Sequence, residues 1–239
     1  HLSLTLETTN KSKMSDKKEF LKYATKHMGL TSMHVANYIE SSLTPYIIEE
    51  RPLNMTQMDV FSRLMMDRII FLGTGIDDYV ANIINAQLLF LESVDSNKDI
   101  QIYLNSPGGS VYAGLGIYDT MQFIRCPVTT IVMGQACSMG SFIAQAGAAG
   151  SRYVLSQART MVHQPSAGTE GKVSDMERHM NEFLRTKDIM TDLYLKHNSA
   201  GLTREKLIHM LDRDTFLSAE ETVKYGFADK VLASRSDFS

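Results

Sequence analysis

Val128-Thr129-Thr130-Ile131-Val132-Met133 runs directly into Gly134-Gln135-Ala136-Cys137-Ser138-Met139-Gly140-Ser141, and the change of character between the two stretches decides how the chain is read. The first is apolar and rich in β-branched residues, as a buried strand is; the residues after Ser138 are helix-prone. Ala136, two residues before Ser138, and Gly140, two after, carry almost no side chain to clash. A sharp strand-to-helix elbow can therefore hold Ser138 with its hydroxyl clear of the backbone. The same elbow sets the first free N–H groups of a helix beside that hydroxyl, where negative charge developing on a substrate oxygen is stabilised. Taken alone, a serine here is more often a helix N-cap than a nucleophile; two further segments turn the reading towards acyl transfer.

Outward from the elbow the chain repeats itself in kind. Apolar runs at Arg68–Leu72, Ile100–Asn105 and Val128–Met133 lack clear alternation, and helical patterns at Asp78–Ser93 and Val111–Ile124 separate them. Strands of that sort suggest burial on both faces, and helices between them suggest parallel crossovers, so the fold class is α/β. A short strand pair, Arg152–Leu155 and Thr160–Val162, follows the elbow helix. Val173–His197 then carries Val173, Met176, Met180, Phe183, Leu184, Met190 and Tyr194 along one side, with Ser174 and Glu177 as a capping box. A helix of that span reaches about 35 Å, more than the sheet needs, so part of it is expected to project and pack on a second subunit. A helix led by Thr203, a second capping box at Ser218/Glu221 and a strand near Lys230–Leu232 close the chain.

Residues 1–42 are mostly polar and read as a leader or propeptide; 43–239 read as one domain. Tyr46-Ile47-Ile48 is expected to be extended, and Thr56-Gln57-Met58-Asp59 to start a helix. A formal charge of −3 over 239 residues, without a long Lys/Arg cluster, argues against a nucleic-acid surface. Cys126 and Cys137 are too few for a disulfide framework and show no zinc spacing, which suggests a reducing, cytoplasmic setting. No apolar stretch approaches the roughly 20 residues of a membrane helix, and no secretion signal is read in His1–Lys13.

A serine nucleophile needs a base and a group to orient it. His1, His27 and His34 lie in the leader, while His179, His197 and His209 sit among charged helical residues and are expected to be solvated. His163 differs: it ends the run Thr160-Met161-Val162 and precedes Gln164-Pro165, at a strand end where active-site groups of α/β proteins gather. Asp212 and Asp214 share one turn, and either could be the carboxylate. Asn105-Ser106-Pro107-Gly108-Gly109-Ser110 follows a buried strand, and its glycines let backbone N–H groups approach a substrate. It lacks the ending of a phosphate loop. Cys137, one position off the elbow frame, is expected to pack inward.

Assembled, these blocks resemble the Clp protease family from about Pro45 to Leu232. The resemblance is carried by Asn105-Ser106-Pro107-Gly108-Gly109, Gly114, Ile117 to Ile124, Met133-Gly134-Gln135-Ala136, Ser138-Met139-Gly140, His163-Gln164-Pro165, Arg213-Asp214 and Phe216-Leu217-Ser218. It implies a crotonase-like spiral of ββα units with a protruding handle at about 164–198, made of a strand near Ser166–Lys172 and the long helix. It implies a serine endopeptidase with Ser138 as nucleophile, His163 as base, Asp214 as the orienting carboxylate, and Gly109 and Met139 as oxyanion donors. It further implies two stacked seven-membered rings, no cofactor in this subunit, and an ATP-using AAA+ unfoldase such as ClpX, ClpA or ClpC that delivers unfolded proteins and docks near Tyr103 and Phe123. Gln101, where an aromatic is common, and Cys137, where a small apolar residue is usual, depart from the family pattern. An acyl-CoA enzyme of the same fold and an inactive ring subunit are the rival readings; neither needs Ser138, His163 and Asp214 together.

Overall fold

The computed structural model describes residues 46–51, 54–166, 168 and 170–238. The leader expected at 1–42, with three of the histidines, lies outside these residues. By contacts the chain divides into two units that meet at residues 60 and 61. In the first unit β1 (Tyr46–Arg51) pairs antiparallel with β2 (Asn54–Asp59), Tyr46 opposite Asp59. Thr56–Asp59, expected to start a helix, is thus strand: a neighbouring ladder overrides a local helix-start pattern. The helix, α1 (Val60–Met66), begins one residue later.

The second unit continues with β3 (Ile69–Leu72), α2 (Asp78–Val94), β4 (Ile100–Ser106), α3 (Val111–Phe123), β5 (Val128–Cys137), α4 (Met139–Gln145), β6 (Arg152–Leu155) and β7 (Arg159–Val162). After these come α5 (Val173–His197), α6 (Arg204–Leu211), β8 (Thr215–Leu217), α7 (Ala219–Lys224) and β9 (Lys230–Leu232). The strands order β3-β4-β5-β6-β9, all parallel; β7 adds to β5 in parallel and β8 to β7 antiparallel. This is the crossover topology expected from helices between apolar strands. The consecutive strands β6 and β7 do not pair with each other, as their closeness in sequence suggested; both join β5.

Burial on both faces holds for β5, where Val128 to Val132 are all buried, but not for β4. There Ile100, Ile102, Leu104 and Ser106 are buried while Gln101 and Tyr103 are half-buried and Asn105 is exposed. The second face of this strand lacks full cover among the described residues. Thr203 caps α6 by accepting from the Lys206 N–H at 3.3 Å, and the box at Ser218/Glu221 forms with both bonds present. The box expected at Ser174/Glu177 does not form: α5 begins at Val173, which puts Ser174 inside the first turn. No described residue of 166–172 is in a strand, since an extended segment without a partner ladder makes none. α5 itself is unbroken, and Val173 to Arg185 contain no buried side chain, in keeping with a projecting first half.

His197, at the other end of α5, is not solvated as expected. Its Nε2 lies 2.9 Å from the Tyr118 hydroxyl, and its carbonyl accepts from the Arg152 guanidinium. Arg152 is in turn ion-paired with Asp229 and itself buried. Burial first, then the charges of Lys196 and Arg152, hold the His197 pKa down to about 4. Unfolded, this ring takes up a proton below about 6.5, so unfolding binds a proton at any pH between that value and the folded one. Stability is therefore expected to fall as pH drops from about 6.5 towards 4, and His197→Gln is expected to flatten that part of the slope in denaturant unfolding midpoints measured against pH.

Candidate active site

The site is made by a bend. As far as Val132, β5 is flanked by β4 and β6. At Gly134 the backbone turns left-handed, φ 65°, and a Cβ there would sit 2.8 Å from Asn105 Oδ1. Asn105 Oδ1 accepts from the Gln135 N–H at 3.3 Å, and the ladder to β4 slips between Leu104 and Ser106. A slip of this kind re-aims the strand beyond it. From Gln135 to Cys137, β5 then pairs with β7, and the Ser138 N–H donates to the Met161 carbonyl at 2.8 Å. Ser138 itself stands at φ 51°, ψ −124°, a strained conformation for a residue with a side chain. A Cβ on Gly140 would meet the Ser106 carbonyl at 2.9 Å, so the glycine read as a small flank is what lets α4 start against the end of β4.

The ladder also brings His163 and Asp214 together. β7 and β8 pair Thr160 with Leu217, Met161 with Phe216 and Val162 with Thr215; one step further along sets His163 opposite Asp214. His163 Nε2 is 2.8 Å from Ser138 Oγ, and His163 Nδ1 is 2.9 Å from Asp214 Oδ1. With Nδ1–H donating to the carboxylate, Nε2 is left as acceptor for the serine hydroxyl. The His163 side chain is 26% exposed and that of Asp214 60%, so the line of groups opens to solvent on one side. His163 bonds Asp214 rather than Asp212, the residue left open on sequence, whose backbone carbonyl accepts from Gln164 Nε2 at 3.4 Å. Cys137 is buried, as expected, with its thiol donating to Gln135 Oε1 at 3.5 Å. Burial, and after it the charge of Asp214, raises the pKa of that thiol, which keeps it protonated.

Gly108 and Gly109 press against the elbow. A Cβ on Gly108, φ 95°, would lie 2.7 Å from the Ser138 Cβ and 3.1 Å from the Met139 nitrogen. The loop is tied down by Ile76, whose N–H donates to the Gly108 carbonyl at 2.9 Å and whose carbonyl accepts from the Ser110 N–H at 2.7 Å. That bridge does not use the Gly109 N–H. Met139, first in α4, has an N–H without an intrahelical partner. Neither the Gly109 nor the Met139 N–H is taken up by that bridge or by the helix. Ile76 is a residue that the sequence reading missed, and an isolated one-residue bridge carries no sequence signal by which to find it.

Tyr103 and Phe123 are not brought into contact. Phe123 closes α3 with 79% of its surface exposed, which rules out a core role for it. Tyr103 lies half-buried in a cleft with Ile131, Leu155, Leu232 and Phe238, its hydroxyl accepting from Arg235 Nη1 at 3.0 Å. Among the described residues no three His, Cys, Asp or Glu side chains stand together to hold a metal ion, and no helix is long and apolar enough to cross a membrane.

Comparison with known proteins places the chain among relatives. The Clp protease family profile matches residues 53–235. The chain is 54% identical over 217 residues to an ATP-dependent Clp protease proteolytic subunit of Porphyromonas gingivalis, covering 90% of this chain and 97% of that one. It is 53% identical over 220 residues to the protein of that name from Bacteroides fragilis, covering 91% and 99%. The corresponding Bacteroides thetaiotaomicron protein is 51% identical with the same coverage.

The strained elbow predicts an unusual order of stabilities. Ser138→Gly and Ser138→Ala both lose the hydroxyl, but only glycine relaxes the positive φ, so the glycine variant is expected to be more stable by about 1 kcal/mol, after its larger unfolded-state entropy is counted. Denaturant unfolding of the two variants side by side measures this; equal midpoints would show that the elbow stores no strain.

Proposed function

The chain belongs to the Clp protease family, and on that footing we propose that it is the serine endopeptidase subunit of an ATP-dependent Clp protease, hydrolysing peptide bonds of unfolded proteins. The observation that carries this reading is the unbroken line from Ser138 Oγ through the His163 ring to Asp214, at 2.8 and 2.9 Å. An acyl-CoA enzyme of the same fold has no use for such a line.

In the proposed reaction His163 Nε2 takes the Ser138 proton as Oγ attacks the substrate carbonyl, and Asp214 stabilises the imidazolium that forms. The carbonyl oxygen becomes an anion held by the Gly109 and Met139 N–H groups, in a place where donors are fixed beforehand and cost no reorganisation. His163 then protonates the leaving amine, freeing it from an acyl-Ser138 ester. Water, deprotonated by the same ring, hydrolyses the ester and restores the hydroxyl. No step calls for a cofactor in this subunit; ATP is used by the partner.

The assembly follows from the same reading. The relatives are proteolytic subunits of an ATP-dependent protease, which supports a partner AAA+ unfoldase such as ClpX, ClpA or ClpC. The uncovered first half of α5 supports packing on a second copy, in two stacked seven-membered rings. The exposed Phe123 and the cleft at Tyr103 support a docking role for these two residues. A cytoplasmic location accords with two buried free thiols.

Ser138→Ala is expected to cut hydrolysis of a fluorogenic peptide by at least about 10⁴-fold while leaving assembly size unchanged in light scattering. Wild type should be labelled at Ser138 by a fluorophosphonate, and peptide mapping locates the adduct. Cleavage retained in the alanine variant would refute the assignment.

A further inference from the structure

The Ser138 carbonyl and the Met139 N–H belong to one planar peptide group, so what fixes the first sets the direction of the second. That carbonyl is held more heavily than a helix requires. It accepts the ordinary helical bond from the Phe142 N–H at 3.1 Å and in addition the Ser141 hydroxyl at 2.7 Å, with the Tyr194 hydroxyl oxygen 3.5 Å away. Ser141 Oγ and Tyr194 Oη are 2.8 Å apart. The Ser141 proton goes to the Ser138 carbonyl, so the proton between the two hydroxyls is the tyrosine's. Tyr194 reaches the elbow from α5, 56 residues away in sequence.

Ser141 and Tyr194 are each about 2% exposed, where an unbonded hydroxyl would be costly, so their burial depends on this chain of bonds. The tyrosine ring cannot swing away. It meets Phe142 edge-on at 5.3 Å and Phe227 at 5.9 Å, and the Tyr194 carbonyl accepts from Gln145 Nε2 at 3.0 Å. Burial pushes the phenol above its usual pKa, which keeps it a donor. The peptide so gripped is the strained one, with Ser138 at φ 51°. Left to itself, such a peptide has reason to rotate, and rotation would turn the Met139 N–H away from the substrate oxygen.

We propose that Tyr194 is a positioning residue for the hydrolysis: through Ser141 it holds the Ser138–Met139 peptide so that the Met139 N–H faces the oxyanion. The proposal rests on the reading of Ser138 as the nucleophile. It also ties the oxyanion donor to α5, the helix whose first half leaves the body of the unit.

The test uses the full chain as it assembles, with Tyr194→Phe, which keeps the ring and removes only the hydroxyl. Turnover of a short fluorogenic peptide, counted per Ser138 titrated to completion by fluorophosphonate, is expected to fall about ten- to hundredfold, short of losing an oxyanion donor outright, with KM within about twofold. Affinity for a peptide aldehyde, whose adduct with Ser138 presents an oxyanion, should fall by the same factor. Ser141→Ala should give the same pattern, and serves alone if the tyrosine variant does not fold. The double variant should be no slower than the slower single one, because both act on one peptide. Fewer titratable serines with unchanged turnover per site, aldehyde affinity unmoved, or losses that multiply in the double variant would each overturn the proposal. Wild type that the fluorophosphonate fails to label would instead overturn the parent reading of Ser138.

Discussion

One backbone hydrogen bond, from the Ser138 N–H to the Met161 carbonyl at 2.8 Å, marks the constraint on which the site depends: β5 must leave one neighbour and take another. Its first half is clamped between β4 and β6, its last residues against β7. Because β8 pairs with β7, the ends of three adjacent strands deliver Ser138, His163 and Asp214 to one groove. Each ladder bond is worth only about 1 kcal/mol net. Their collective effect is geometric, since a one-residue slip in any ladder would turn the functional side chain to the opposite face.

The elbow separates the duties of neighbouring atoms. Met139 sends its side chain into the core, where it is fully buried and occupies the room left by Gly114; a Cβ on that glycine would lie 2.1 Å from the methionine methyl. Its N–H, first in α4, is left without an intrahelical acceptor. Gly108 and Gly140 act in the opposite sense, by having nothing that would keep the loop and the helix from closing on Ser138. The strain at Ser138, of order 1–3 kcal/mol, persists because these contacts and the bonds to its carbonyl over-determine it.

α5 serves two surroundings with one helix. From Val173 to Arg185 it carries no buried side chain, whereas Thr186, Met190, Thr191 and Tyr194 are buried in the half that packs on the elbow helix and on α6. The apolar residues Val173, Met180 and Leu184 are exposed on the free half. A mean helix needs about three turns to cover its neighbours; the surplus here is surface left uncovered among the described residues.

Much of this was legible from residue types. The apolar runs located β3, β4 and the first part of β5, small residues at 136 and 140 located the elbow, and a histidine ending an apolar run marked the candidate base. What was illegible was relational. The choice of Asp214 over Asp212 needed the β7–β8 register; on the residues alone it stayed open, and the family resemblance, not spacing, supplied it. Ile76 gave no local sign of holding the oxyanion loop, Tyr194 read as one more member of an apolar stripe, and His197 read as solvated until Tyr118 and Arg152 closed around it. Sequence determined most of the strands, helices and turns, and which side chains had the right chemistry, because volume, periodicity and backbone freedom are local properties. Only the tertiary structure decided which of those side chains meet, because a contact between residues 25 or 51 positions apart is set by ladder register and packing, to which no local pattern answers.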